Sequence, residues 1–481
     1  MTGAAWTAAQ AWSARAMSAA TFIVLGRTLA PEDFGVVALA FAIILVLTTI
    51  GDSGLANYLV RQPDLEDDTI DTVFWVGLGL AGGLAVALAL GAGSVASLFD
   101  SPALADVLPV LALSMVVTAT GSVPAALMRR DLRFKPLALR GSAATLVGSV
   151  VAVVAALAGA GVWALVAQYV VAAAVSTIVV WFAVTWRPRA VVRRERVREM
   201  FAFGLKLLSI DLMTQSRDRS EDFVLAGLYS TTTLGFWTVA SRLVRLVQES
   251  GTQVINAVAT PTFAKVQSDP GRLFRGYELA MAASGVLLFP TLLFMAVTAE
   301  DLIPFVFGEQ WATTAQVAQV TAVTAAVGVF SYFDRSLCVA VNKLRAEMIL
   351  TGFIVATHVA VVILVAPFGL RELAWALLVR QCVTFPVRQV VLHRVVGAPY
   401  HCLLLPLRVL AAAVVACAVV PALNLVLADG YSTFLTLILD AAIVALLYPL
   451  LLVLLARDVL GAARAARRGP TAASSRATSA R

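Results

Sequence analysis

The sequence predicts an all-α, polytopic membrane protein of about fourteen transmembrane helices, and three observations carry that expectation. Hydrophobic residues make up 60% of the 481-residue chain and charged residues only 14%, a balance foreign to soluble globular domains. The mean hydropathy is +0.88. Apolar runs of the length that crosses a hydrocarbon core of about 30 Å, roughly 20 residues each, recur from near the first residue to about residue 456. A secretory signal would be one short apolar segment ahead of a soluble domain, and no soluble domain fits between these runs.

Taken in order, the runs place helices at 4–25, 35–56, 73–96, 104–127, 140–158, 162–183, 201–225, 233–259, 278–298, 313–340, 347–365, 371–390, 403–427 and 433–456. An even number puts both termini on one side. With the N-terminus taken as cytoplasmic, twenty-five Lys and Arg fall on the inside and only Arg27 and Arg371 outside. Basic residues are retained in cytoplasmic loops, so the layout predicts a multi-pass protein of the cell inner (cytoplasmic) membrane with both termini cytoplasmic. This also accounts for the net charge of +7 without a nucleic-acid partner. The two largest inside segments are RPRAVVRRERVR, 187–198, and the tail 457–481, which is polar, basic and rich in small residues and is expected to be disordered.

Nothing in the chain resembles a phosphate loop, a zinc-protease motif or a nucleophile elbow, so the sequence gives no sign of an enzyme, a metal or a cofactor. Cys338, Cys382, Cys402 and Cys417 have no metal-ligand spacing and read as thiols packed in or beside apolar segments. Gly79 and Gly83 stand at GxxxG spacing and predict close packing of the third helix against a neighbour.

Charge at membrane depth costs several kcal/mol unless it meets a partner or water, so intramembrane ionisable residues mark functional sites. The stretch FAFGLKLLSIDLMTQSRDRSED, 201–222, concentrates such charge and opens the second half of the chain. The cationic candidates are Arg15, Arg217, Arg219, Arg242, Arg245, Arg335 and Arg380. A guanidinium stays charged and donates a planar fork of hydrogen bonds, which suits a phosphate group. Ser241, Arg245, Gln248 and Thr252, with Arg242, Glu249, Gln253 and Asn256, recur at helical spacing as a polar stripe. The structural alternatives are ion pairing within a helix, as for Arg217 with Glu221 or Asp334 beside Arg335, and snorkelling, which Arg15 could do from near a cytoplasmic end. Asp52, Asp222 and Glu249 are candidates for a coupling ion, since a buried carboxylate can titrate; for Asp52 an end-of-helix role competes. Asp440 is a lone acid expected to pair with a neighbouring helix.

A repeat at an offset of about 200 residues sets LAPEDFGVVALA, 29–40, opposite YSTTTLGFWTVA, 229–240, matching Gly35 with Gly235 and Ala40 with Ala240. Each segment begins the second helix of a six-helix half, as parallel repeats in a transporter would.

The segments RTLAPEDFGVVALA, GDSGLANYLVRQPDLEDDTIDTVFW, VPAALMRRDLRFKPLAL and GAGVWALVAQYV together resemble the Wzx-type polysaccharide flippases, nearest to the colanic-acid and teichuronic-acid export branch of the multidrug/oligosaccharidyl-lipid/polysaccharide (MOP) superfamily. The resemblance implies two six-helix lobes in a V around a central cavity, residues 1–186 and 199–390, joined by the 187–198 linker and followed by two appended helices in 391–456. It implies export of an undecaprenyl-pyrophosphate-linked oligosaccharide by alternating access, with membrane lipids and a polysaccharide polymerase or export machinery as partners. A drug exporter of the same superfamily is the alternative, although a cavity for organic cations would favour acids over arginines. A membrane-embedded polymerase would need a long external loop, and 299–312, the longest here, is short.

Overall fold

The structure, a computed structural model, describes residues 2–52, 55–62, 65–266, 268–427 and 432–456. The tail expected to be disordered lies outside them. Helices are α1 (Thr2–Thr28), α2 (Pro31–Asp52), α3 (Leu55–Arg61), α4 (Asp67–Leu98), α5 (Ala103–Arg130), α6 (Phe134–Leu157), α7 (Val162–Ala183) and α8 (Arg194–Leu228). They continue as α9 (Thr231–Val266), α10 (Pro270–Phe307), α11 (Ala312–Gly328), α12 (Asp334–Ala340), α13 (Leu344–Val365), α14 (Leu370–Val396), α15 (Leu404–Leu427) and α16 (Thr433–Leu455). Among the described residues there is no strand. Ten helical stretches among them are long and apolar enough to cross a membrane by length and composition.

Local chemistry sets the boundaries. At α2 the chain enters through Pro31, whose fixed φ suits a first helical turn, and Asp33 accepts from the Ala30 amide at 3.0 Å. At α9 Ser230 plays the capping part, its hydroxyl taking the Thr233 amide at 3.2 Å. The tight α6–α7 turn uses Gly159 and Gly161 at φ +78° and +56°, values that cost L side chains energy. The helix expected at 313–340 is broken instead. It tightens into a 3-10 turn at Val329–Ser331 and restarts as α12, which carries Asp334 into a fully buried position.

Two compact units divide the chain. The first comprises Met1–Val239 with Val306–Gln310 and Val362–Pro367. In it α6 pairs with α7 and α4 with α5, while α2 packs on α8. Close approach is built from small residues. A Cβ on Gly148 would lie 2.9 Å from the Gln168 carbonyl, and one on Gly121 3.1 Å from the Thr177 hydroxyl. At the start of α2 and α9, a Cβ on Gly35 would stand 3.0 Å from the Gly235 nitrogen, and one on Gly235 3.3 Å from the Gly35 nitrogen. The short returns are pinned by backbone acceptors: Arg27 donates to the Val306 carbonyl at 2.7 Å and Tyr229 to that of Ala366 at 2.7 Å. Gly79 and Gly83, expected to pack closely, have nothing within 4 Å of an added Cβ, so α4 turns these glycines away from its neighbours in the chain.

The second unit comprises Ala240–Phe305, Trp311–Val361 and Phe368–Arg481. Its largest core gathers Leu288, Phe289, Phe330, Val409, Ala413, Val444 and Tyr448 from α10, the 3-10 turn, α15 and α16. Buried polar groups in it are answered locally. Tyr448 donates to the Val286 carbonyl at 2.9 Å, and the lone acid Asp440 accepts from Asn424 of the neighbouring α15 at 3.1 Å. All four cysteines are free, three buried and Cys382 exposed.

Candidate functional site

Four long helices fall outside the ten apolar stretches: α1, α8, α9 and α14. They carry six of the seven arginines singled out from the sequence. At a rise of about 1.5 Å per residue, Arg15 stands about 20 Å from either end of α1. Arg217 and Arg219 lie about 16 and 13 Å from the end of α8, Arg242 and Arg245 about 16 and 21 Å from the start of α9, and Arg380 about 15 Å from the start of α14, on the same rise. Half a hydrocarbon core is about 15 Å. Each of these residues is thus at least about 13 Å from the nearer end of its own helix, close to half the thickness of a hydrocarbon core. Arg15 is the midpoint of α1.

In the first unit the charged run of α8 is partly self-neutralised. Arg219 pairs with Asp222 at 3.1 Å, with 29% and 12% of the two side chains exposed. Glu221 accepts the indole N–H of Trp237 at 2.7 Å. Arg217 and Asp218 are exposed. Gln215 donates to Thr49 of α2 at 3.3 Å, which extends the polar track onto a second helix. Asp52 is the last residue of α2 and is exposed.

In the second unit Arg242 is half-buried, and Arg245 and Glu249 are exposed on α9. The side chains of Thr252, Gln253 and Asn256 lie outside the described residues. Arg380 is buried in α14, its guanidinium 3.4 Å from the Gln381 amide oxygen. Arg335 is exposed at the start of α12.

Asp334 does not pair with Arg335. It takes the Tyr277 hydroxyl at 2.5 Å and an ion pair from Arg388, whose guanidinium also reaches Glu347 at 3.4 Å. Arg388 falls inside the helix expected at 371–390 and is not among the arginines singled out there. Its side chain is only 11% exposed, because α14 runs on to Val396. The available signal was the charge set itself: Asp334, Glu347 and Arg388 each interrupt an apolar segment. Arg140 lies within α6 and donates to Ser176 of α7 at 2.5 Å.

The basic linker is a built structure. Arg193 donates from Nε and Nη2 to Asp68 at 2.9 and 2.6 Å, and its amide to Thr72 at 3.0 Å. Arg196 reaches Glu66 at 3.0 Å, and the Glu66 and Glu199 carboxylates hold its guanidinium above the ordinary arginine range. The Trp75 indole donates to the Arg189 carbonyl at 2.7 Å, and Arg187 lies 5.5 Å over the Trp181 ring. Acids in a first helical turn also suit the helix dipole.

The long-helix fold is similar to that of solved members of the MOP superfamily. Over 95% of this chain and 99% of the other it is similar to the lipid II flippase MurJ in an inward closed conformation, with a TM-score of 0.77 at 13% identity. Over 79% and 94% it is similar to an inward-facing MATE multidrug transporter of the MOP superfamily, with a TM-score of 0.63 at 16% identity. In sequence, residues 24–316 match the family described as polysaccharide biosynthesis protein, and the chain belongs to that family. Similar relatives include the succinoglycan biosynthesis transport protein ExoT of Rhizobium meliloti, 29% identical over 61% of this chain and 59% of that protein. The lipopolysaccharide biosynthesis protein WzxC of Escherichia coli is 25% identical over 67% and 66%. The teichuronic acid biosynthesis protein TuaB of Bacillus subtilis is 20% identical over 80% of each. The matches thus span about three fifths of ExoT and two thirds of WzxC.

Proposed function

We propose that the protein is a flippase that carries an undecaprenyl-pyrophosphate-linked oligosaccharide across the cytoplasmic membrane by alternating access of two lobes, 1–186 and 199–390. The observation that supports this best is the set of arginines at mid-depth of α1, α8, α9 and α14. A diphosphate crossing a low-dielectric core loses its hydration, and guanidiniums in a wetted space replace it with charge-assisted hydrogen bonds. The family and the names of its relatives point to polysaccharide assembly, and the flippase fold suits a lipid-linked cargo. In this reading the candidates for contact with the diphosphate are Arg15, Arg217 and Arg219 in the first unit and Arg242, Arg245, Arg335 and Arg380 in the second. Asp222 of α8 and Glu249 of α9 are the candidates for ion coupling, with Asp52 at the end of α2. Both termini are cytoplasmic, all fourteen long helices cross the membrane, and a polymerase takes the product on the far side.

The test is genetic. Cells in which the chromosomal copy is replaced by the Arg15→Ala, Arg217→Ala, Arg245→Ala triple variant should accumulate lipid-linked repeat units on the cytoplasmic leaflet while the protein remains inserted. Export at the parental level in those cells would remove the cationic mechanism.

A further inference from the structure

We propose that a cavity at one end of the second unit binds the phosphate of a membrane phospholipid. The cavity, about 260 Å³, is lined by Arg275 and Glu278 of α10, His401 of the turn before α15, and Arg408, Leu404 and Leu405 of α15. Ligand pockets for whole small molecules run from about 300 Å³ upward, so this space suits a headgroup rather than a sugar repeat unit. One of its two arginines is spent on the acid in its wall and the other is not. Arg275 donates to Glu278 at 2.9 Å, and among the described residues no acid pairs with Arg408, which is exposed.

Depth and surroundings select a lipid. Arg275 lies five residues into α10 and Arg408 four residues into α15, about 8 and 6 Å along helices that both begin at this end. The interfacial layer of a bilayer is about 5–8 Å on each side, and the proposal sets the first turns of α10 and α15, with both guanidiniums, in that layer. Below the cavity, α15 presents Leu404, Leu407, Ala411, Val414 and Ala418 as exposed residues at helical spacing, an apolar strip on which an acyl chain can rest while its headgroup is held above. Basic pockets between transmembrane helices take lipid headgroups in this way. Glu278 at the wall offers a partner for a headgroup hydroxyl or ammonium. None of these residues belongs to the mid-depth arginine set, so the site is separate from the proposed transport path.

The experiment uses the full-length protein, delipidated in neutral detergent and titrated with phosphatidylglycerol, with phosphatidylethanolamine and with inorganic phosphate, while bound lipid is read by native mass spectrometry and the unfolding midpoint is followed. One phospholipid should stay bound and raise the midpoint, and its affinity should drop at high salt. The double variant His401→Gln, Arg408→Gln should bind phosphatidylglycerol at least tenfold more weakly while melting in detergent alone like the parent. Gly271→Trp, which fills the cavity mouth and keeps every charge, serves as a second variant should the first misfold, and should show the same loss. Inorganic phosphate matching the lipids at equal concentration would support the anion site and assign it to free phosphate. Undiminished phosphatidylglycerol binding in either folded variant would overturn the proposal, whatever the outcome of the export test.

Discussion

Gly35 and Gly235 occupy the fifth positions of α2 and α9 and face one another, each with its Cα against the first carbonyl of the other's helix. A Cβ on Gly35 would fall within 3.0 Å of the Thr231 carbonyl, and one on Gly235 within 3.0 Å of the Pro31 carbonyl. The contact is reciprocal, and the two residues are those that the 200-residue repeat brings into register. Two copies of one segment thus cross at the same point of each, which requires the absence of a side chain twice.

Gly35→Ala and Gly235→Ala should therefore each destabilise the protein. Overpacking of this kind costs about 1–3 kcal/mol, and here the obstacle is backbone, which yields less than a side chain. Folded yield and thermal midpoint in detergent should fall for both. Gly79→Ala, whose Cβ meets nothing within 4 Å, is the control and should leave both unchanged.

The buried cluster of Tyr277, Asp334, Glu347 and Arg388 gives a second expectation. Removing one member of a buried ion pair strands the other's charge, at a cost of about 3–5 kcal/mol. Arg388→Ala should lower the unfolding midpoint far more than Arg394→Ala on the same helix. Arg388→Met combined with Asp334→Leu and Glu347→Gln should recover most of the loss, since no stranded charge remains.

The linker clasp can be tested by charge exchange. Arg193→Glu faces Asp68 and should loosen the linker, making 187–199 more accessible to limited proteolysis of the protein in detergent. Asp68→Arg in the same chain should restore protection. Each exposed ion pair contributes only about 0.2–1 kcal/mol, so the readout is local protection and not global melting.

The helical class, the segment order and the arginine-bearing helices were legible in the sequence because hydropathy and isolated charge are local signals. The helix at 162–183 even coincides with α7. What escaped was decided by tertiary partners. The break between α11 and α12 follows from the burial of Asp334 against Tyr277 and Arg388, residues 57 and 54 positions away. Arg219 was legible as a charge, but its choice of Asp222 and the choice of Trp237 by Glu221 depend on rotamers and on the entry of α9. The linker read as topogenic charge because its acceptors, Glu66, Asp67 and Asp68, lie more than a hundred residues earlier. Gly79 and Gly83 matched a packing motif, but no described residue of this chain packs on them, since GxxxG spacing states that a helix can be approached and not which neighbour does so.

The central claim, that mid-depth arginines carry a lipid diphosphate across the bilayer, is tested most directly in proteoliposomes holding this protein alone. Undecaprenyl-pyrophosphate-linked oligosaccharide is loaded with its sugar in one leaflet, and its arrival in the other is timed by an impermeant sugar-modifying reagent. The account predicts rapid transfer by the parent protein, with the sugar chain covalently unchanged, and transfer slowed at least tenfold in the Arg15→Ala, Arg217→Ala, Arg245→Ala variant. Parental transfer no faster than in protein-free vesicles, or equal transfer by parent and variant, would contradict it.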